Sequence, residues 1–236
     1  MFVRTENFNT FTRLYPIVTG IIVIHLVFWV LATVSNPFYY YTLGINGYIS
    51  GGEYWRLLTP IFAHVSLMHL LFNSFSLVLF GPELERMLGK VKFVAVYLCA
   101  GIIANVATLF LEPPTYVHLG ASGAIFGLFG LYLYMVFFRP DLLSSSNAQI
   151  IVIILVIGLV MTFVNSNINY TAHIFGFLGG LALAPIFIGK GSFQGTRSLR
   201  HIFPRGTFGH GRRSGGLNFV WILLILLIAF GLMSRL

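Results

Sequence analysis

The chain has 236 residues, 57% of them hydrophobic and only 8% charged, with a formal net charge of +8. A soluble domain carries roughly a quarter charged residues, so this composition excludes an ordinary water-covered enzyme and points to an all-α polytopic membrane protein whose surface is covered by lipid. A single cysteine, Cys99, excludes an intramolecular disulfide and reads as a small buried hydrophobe in an apolar run.

A helix that crosses the hydrocarbon core needs about 20 mostly apolar residues, and seven segments qualify. Behind a short N-terminal segment, 1–15, comes span one, 16–34, without a strongly basic lead-in or a small-residue cleavage site. It is expected to stay in place as a signal anchor. Residues 35–57 are rich in aromatics and glycine (Pro37-Phe-Tyr-Tyr-Tyr41, then Gly51-Gly-Glu-Tyr-Trp-Arg56), the composition of a segment anchored at the lipid–water interface. Arg56, a charge in apolar surroundings, is expected to bond loop carbonyls. Span two, 58–80, contains His64, His69 and Asn73, and 81–91 reads as a loop. Span three covers 92–111. Span four, 118–138, opens with His118-Leu-Gly-Ala-Ser-Gly-Ala-Ile-Phe-Gly127. Span five, 148–165, runs into the polar stretch Asn165-Ser-Asn-Ile-Asn-Tyr170. Span six, 171–189, opens with Thr171-Ala-His-Ile-Phe-Gly176. A basic, glycine-rich segment, 190–216, leads to span seven at 217–234, within a C-terminal unit 217–236 that reads as an addition to a six-helix core at 16–189.

Seven spans place the connecting segments alternately on two sides. One side gathers Arg4, Arg13, Arg86, Lys90, Lys92, Arg139, Lys190, Arg197, Arg200, Arg205, Arg212 and Arg213; the other has only Arg56 and Arg235. Lys and Arg favour the cytoplasmic side, so the N-terminus is expected there and the C-terminus outside. The net positive charge is then a topology signal resting against anionic lipid, and no nucleic-acid partner is expected. His201 and His210 fall in that basic segment, away from the other polar residues.

Spans two, four and six all enter from the outside, and their unusual polar residues sit near the entry ends: His64, His69 and Asn73, then Ser122, then His173. Ionisable groups inside a membrane are costly, which makes them functional candidates. A serine hydroxyl becomes a competent nucleophile when an adjacent base takes its proton. His69 and Asn73, four apart, share one helix face, where they could either stabilise an oxyanion or bond neighbouring helices together. Gly120, Gly123, Gly127 and Gly130 form one small-residue stripe, with Gly176 and Gly180 forming another. Such stripes let two helices approach closely, which would bring Ser122 towards His173; simple packing is the other reading. His64 and His69 are five apart, no His-Glu-x-x-His occurs, and Glu6, Glu53, Glu83, Glu85, Glu112 and Asp141 all lie outside the expected spans. Neither a metal nor another cofactor is expected, and an aspartyl or metallo mechanism lacks its parts.

The joint pattern resembles the rhomboid family of intramembrane serine proteases over about residues 12–189. It comprises Gly-Ala-Ser122-Gly, a histidine two spans later with glycine at +3 and +7, and His64-x-x-x-x-His69-x-x-x-Asn73 two spans earlier. Trp55-Arg56 and Glu85-Arg86-Met-Leu-Gly89 match as well. The resemblance implies a dyad with Ser122 as nucleophile and His173 as general base. It implies His69, Asn73 and the Ser122 backbone N–H as oxyanion donors, and His64 as the histidine that holds the first external loop. Phe126, one turn after Ser122, could stack on the imidazole; many rhomboids carry tyrosine there, so the ring is kept and the hydroxyl is not. Gly120, Gly123, Gly176 and Gly180 support that approach, and His25 and His118 have no matched role. The expected substrates are transmembrane segments with small or helix-weakening residues near the outer face of a bacterial cell membrane. Span five and 165–170 are expected to gate entry. A catalytically silent relative that binds membrane clients is the alternative; a transporter would spread its polar residues through the membrane depth. The pattern leaves oligomeric state open.

Overall fold

A computed structural model describes residues 6–164 and 168–193. Span seven, most of the basic segment and part of the 165–170 stretch lie outside the described residues. Within them, six apolar helices follow in order: α2 (Pro16–Val34), α5 (Leu67–Leu88), α6 (Lys90–Leu111), α7 (Ser122–Phe138), α8 (Ser145–Val164) and α9 (Tyr170–Phe187). All but α7 are long and apolar enough to cross a membrane; α7 has 17 residues. Leu67, Met68, Leu71, Phe72 and Phe75 stand exposed on α5, an apolar face that only lipid covers favourably. The chain is an integral membrane protein of the all-α class. Shorter pieces are α1 (Phe8–Leu14), α3 (Asn36–Thr42), α4 (Asn46–Ser50) and a two-residue antiparallel ladder. In that ladder β1 (Gly44–Ile45) meets β2 (Val117–His118), with Gly44 opposite His118 and Ile45 opposite Val117.

Span one lies where the sequence puts it. Span two does not: its helix begins at Leu67 and ends at Leu88. Residues 58–66 are apolar, but Pro60 sits in a 3₁₀ turn, Thr59–Ile61. Ser66 then starts a new helix by accepting the His69 N–H at 3.2 Å, as an N-cap serine does. At the far end α5 runs through Pro82 and stops at Gly89, whose φ of +77° suits glycine. The expected loop 81–91 is therefore mostly helix, His64 precedes the helix, and Glu83 and Glu85 lie inside it.

Glu85 explains how a carboxylate is tolerated there. Helix α2 starts at Pro16 without a side-chain cap of its own. The Ile17 and Val18 N–H groups donate instead to Glu85 Oε1 (3.0 Å) and Oε2 (2.8 Å). The buried acid thus satisfies two otherwise orphaned donors and meets the positive end of the α2 dipole. Gly81 adds room, since a Cβ there would stand 2.7 Å from Val18.

The chain divides into two compact units. The first comprises residues 1–131 with 171–189, and the second 132–170 with 190–236. In the first, α6 buries Phe93, Val96, Tyr97, Ala100, Ala104 and Thr108 along one face. Cys99 lies off that face and is exposed, contrary to its reading as a buried hydrophobe: the helical period, not the local apolar run, decides which side is covered. In the second, Tyr134 stacks on Phe138 at 4.7 Å, and its hydroxyl accepts the Gly191 N–H at 3.0 Å.

Candidate active site

The nucleophile candidate occupies the first position of α7, which a constrained turn delivers. Gly120 has φ +130°, a conformation that strains any L-residue with a side chain. Its N–H donates to the Pro60 carbonyl at 2.8 Å. A Cβ on Gly120 would lie 2.7 Å from both Cε1 and Nε2 of His69 and 3.8 Å from Ser122 Oγ. The His69 imidazole and the Ser122 hydroxyl therefore flank one point. Gly120 belongs to this turn and not to the helical stripe the sequence suggested, because the helix begins only at Ser122.

The stripe proper is Gly123, Gly127 and Gly130. A Cβ on Gly176 would stand 2.9 Å from the carbonyl carbon of Gly123, and one on Gly180 2.6 Å from that of Gly127. On Gly123 itself a Cβ would meet Ala104 of α6 at 2.7 Å and the Ala172 carbonyl of α9 at 3.5 Å. Helices α7 and α9 thus run backbone against backbone from the turn that follows Ser122 and His173. Beside them Phe126 lies face to face with His173, ring centroids 4.1 Å apart and planes 18° from parallel. His173 is buried and Ser122 half-buried.

On α5, Asn73 is buried and donates one N–H of its amide to the His69 carbonyl at 3.0 Å, leaving the other N–H for a second acceptor. His64 and His69, five apart in sequence, have ring centroids 5.1 Å apart because His64 belongs to the turn before the helix. His25 of α2 packs on the other side of His64 at 4.8 Å, and its Nε2 is 3.1 Å from the Tyr97 hydroxyl. Ser122, His173, Phe126, His69, Asn73, His64, Gly120, Gly123, Gly176 and Gly180 all belong to the first unit, where the His69 imidazole and the Ser122 hydroxyl flank Gly120, His64 lies beside His69 and Phe126 stacks on His173. Among the described residues no group of three His, Cys, Asp or Glu side chains is arranged to hold a metal ion.

The segment before α5 is more ordered than its composition suggests. Arg56 is fully buried; its Nη1 donates to the Tyr40 and Leu43 carbonyls (2.7 and 2.8 Å) and its Nε to Glu53 (2.6 Å). The rings of Tyr40, Tyr48, Tyr41 and Trp55 surround the guanidinium at 5.1 to 5.9 Å, within cation–π range. His118 is buried beneath Gly44 of the β-ladder, where no side chain would fit. Two further polar residues make bonds, and the sequence assigns a partner to neither. Asn46 donates to the carbonyls of Thr108, Glu112 and Pro113 at the end of α6. Glu112 accepts the Thr171 hydroxyl at 2.6 Å. The only sequence signal for either is a polar residue at the edge of an apolar segment.

Residues 51–190 match the Rhomboid domain family model. The chain is 48% identical over 194 residues to YdcA of Bacillus subtilis, a protein named as a candidate rhomboid protease, covering 80% of this chain and 98% of YdcA. It is 39% identical over 155 residues to the rhomboid protease GluP of the same organism, covering 65% of this chain and 30% of GluP. With RHOMBOID-like protein 4 of Arabidopsis thaliana it shares 30% identity over 148 residues, 62% of this chain and 37% of the relative.

Proposed function

The chain belongs to the rhomboid family, and from that premise we propose that it is an intramembrane serine endopeptidase working through a Ser122–His173 dyad. Ser122 Oγ attacks the scissile carbonyl carbon of a transmembrane substrate while His173 takes the hydroxyl proton. The carbonyl oxygen becomes an oxyanion facing His69, the free N–H of Asn73 and the Ser122 backbone N–H. His173 then returns the proton to the leaving amine, and the C–N bond breaks. In the second half, His173 takes a proton from water as its oxygen attacks the acyl-serine; the ester C–O bond then breaks, His173 returns the proton to Ser122 Oγ, and the substrate is left with a new carboxyl terminus. Phe126 holds the imidazole plane by stacking.

The observation that carries this reading is the α7–α9 contact. Gly176 abuts Gly123 backbone to backbone, one residue after Ser122 and three after His173, so the candidate nucleophile and base share one end of two touching helices. The Lys and Arg distribution supports a cytoplasmic N-terminus, and with it a site in the outer half of a bacterial cell membrane, where water reaches the acyl-enzyme. Residues 1–15, the core 16–189, the basic segment 190–216 and the C-terminal segment 217–236 are the corresponding division of the chain. Substrates are transmembrane helices with small or helix-weakening residues, since a scissile carbonyl must first leave its helical hydrogen bond.

The test is cleavage of a labile-helix transmembrane substrate by purified protein in detergent, alongside Ser122→Ala and His173→Ala. Wild-type cleavage lost in both variants is expected. Cleavage surviving either substitution sinks the dyad, and client binding without cleavage by wild type points to a silent rhomboid-like protein.

A further inference from the structure

We infer that Glu112 is a positioning residue for His173, its carboxylate latching the first turn of α9 to the end of α6 through Thr171. The inference rests on the reading of His173 as general base. Glu112 is the C-cap residue of α6. A carboxylate is disfavoured there by its own helix, whose C-terminus is the negative end of the dipole. The same charge is favourable at the start of α9, and there it is bonded: Thr171 Oγ1 donates to Glu112 Oε1 at 2.6 Å, the length of a charge-assisted O–H···O⁻ bond. Thr171 is only 2% exposed, so water competes little for this bond.

The carboxylate can act as a fixed point because its backbone is fixed. The Glu112 N–H donates to the Thr108 carbonyl at 3.0 Å, and its own carbonyl accepts Asn46 Nδ2 at 3.1 Å. The adjoining loop is clamped to α4 as well, the Gly47 N–H donating to Pro114 at 2.7 Å and that of Asn46 to Tyr116 at 3.2 Å. One residue thus joins the segment around α4, the end of α6 and the start of α9. His173 lies two residues beyond Thr171, with Phe126 on its ring face. The stack sets the plane of the imidazole, and the Glu112–Thr171 bond sets the helix turn from which the imidazole projects. Small displacements at that point matter, since catalytic geometry misplaced by about 1 Å costs on the order of a hundredfold in rate.

Thr171→Val keeps the shape and removes the hydroxyl, Thr171→Ser restores a hydroxyl, and Glu112→Gln keeps an acceptor without the charge. Four quantities are compared with wild type in detergent: kcat, KM, the rate at which a fluorophosphonate labels Ser122, and deuterium exchange in 170–176. Thr171→Val is expected to lower kcat and labelling about tenfold or more with KM within about twofold, and to speed exchange in that turn. Thr171→Ser should recover most of the rate, and Glu112→Gln should fall between. Wild-type kcat and labelling in Thr171→Val overturn the inference, as does Thr171→Ser falling as far as Thr171→Val. If Thr171→Val does not fold, Glu112→Gln decides by the same kcat and labelling criteria. An inactive wild type would instead overturn the protease reading and the catalytic role with it; the exchange arm still scores the latch, and unchanged exchange would remove it too.

Discussion

Replacing Gly176 with alanine perturbs the α7–α9 contact that supports the proposed dyad. The new methyl would stand 2.9 Å from the Gly123 carbonyl carbon and nearer still to its oxygen, whereas ordinary Cβ contacts begin at 3.4 Å. The obstacle is backbone, which cannot swing aside as a side chain end can, so α7 and α9 must part by about 1 Å. Overpacking of this kind costs about 1–3 kcal/mol of stability. Because Ser122 and His173 ride on the two separated helices, the same shift is expected to lower kcat on the order of a hundredfold, or about 2.7 kcal/mol of barrier. Gly20→Ala is the matched control: it lies in α2, and a Cβ there meets nothing within 4 Å. The assay is cleavage of a transmembrane substrate in detergent at a temperature where thermal unfolding shows both variants folded. Gly176→Ala with wild-type kcat would refute the claim that close approach at Gly123 positions the dyad.

Other substitutions separate the remaining roles. Asn73→Ala and His69→Ala should each reduce kcat by about 10²–10³-fold with little change in KM, as loss of an oxyanion donor does; a change in KM alone would assign them to substrate binding. Phe126→Ala removes a stack of the kind worth about 0.5–1.5 kcal/mol and should slow cleavage roughly 2- to 13-fold, while Phe126→Tyr keeps the ring and should retain activity; equal losses in both would remove stacking as the cause. Glu85→Ala leaves the Ile17 and Val18 N–H groups without their acceptor, at about 1–3 kcal/mol for the buried Val18 donor and less for the half-buried Ile17 one. Its unfolding midpoint should drop clearly, and Glu85→Gln, which replaces one of the two accepting oxygens with a donor NH2 and removes the charge, should not restore it fully; an unchanged midpoint would show that the α2 end is satisfied otherwise.

Local pattern made some of this readable in the sequence. Span one was legible because Pro16 begins a helix and the apolar run ends at Val34, both local facts. The spacing of Gly123, Gly127 and Gly130 was legible because intervals of three and four define one helix face, whereas Gly120, which fits the same spacing, belongs to the turn before α7. Span two was misplaced because Leu58, Ile61, Phe62 and Val65 are as apolar as a membrane helix, and hydropathy does not distinguish an apolar turn held by Pro60 from the helix that Ser66 then caps. Glu85 looked like a loop residue because its compensating partners, the N–H groups of Ile17 and Val18, lie 68 and 67 residues away. The Glu112–Thr171 bond, 59 residues apart, and the packing of His64 between His25 and His69 are long-range for the same reason. Spacing alone gives no means of pairing them.

The central claim, a hydroxyl at Ser122 activated by His173, is tested most directly by mapping a covalent adduct. Wild type, Ser122→Ala and His173→Ala are treated with a fluorophosphonate in detergent, digested and analysed by mass spectrometry. Wild type is expected to be modified at Ser122, Ser122→Ala to carry no adduct, and labelling of His173→Ala to be slowed by orders of magnitude. An unlabelled Ser122 in folded wild type, or equal labelling rates in wild type and His173→Ala, would contradict it.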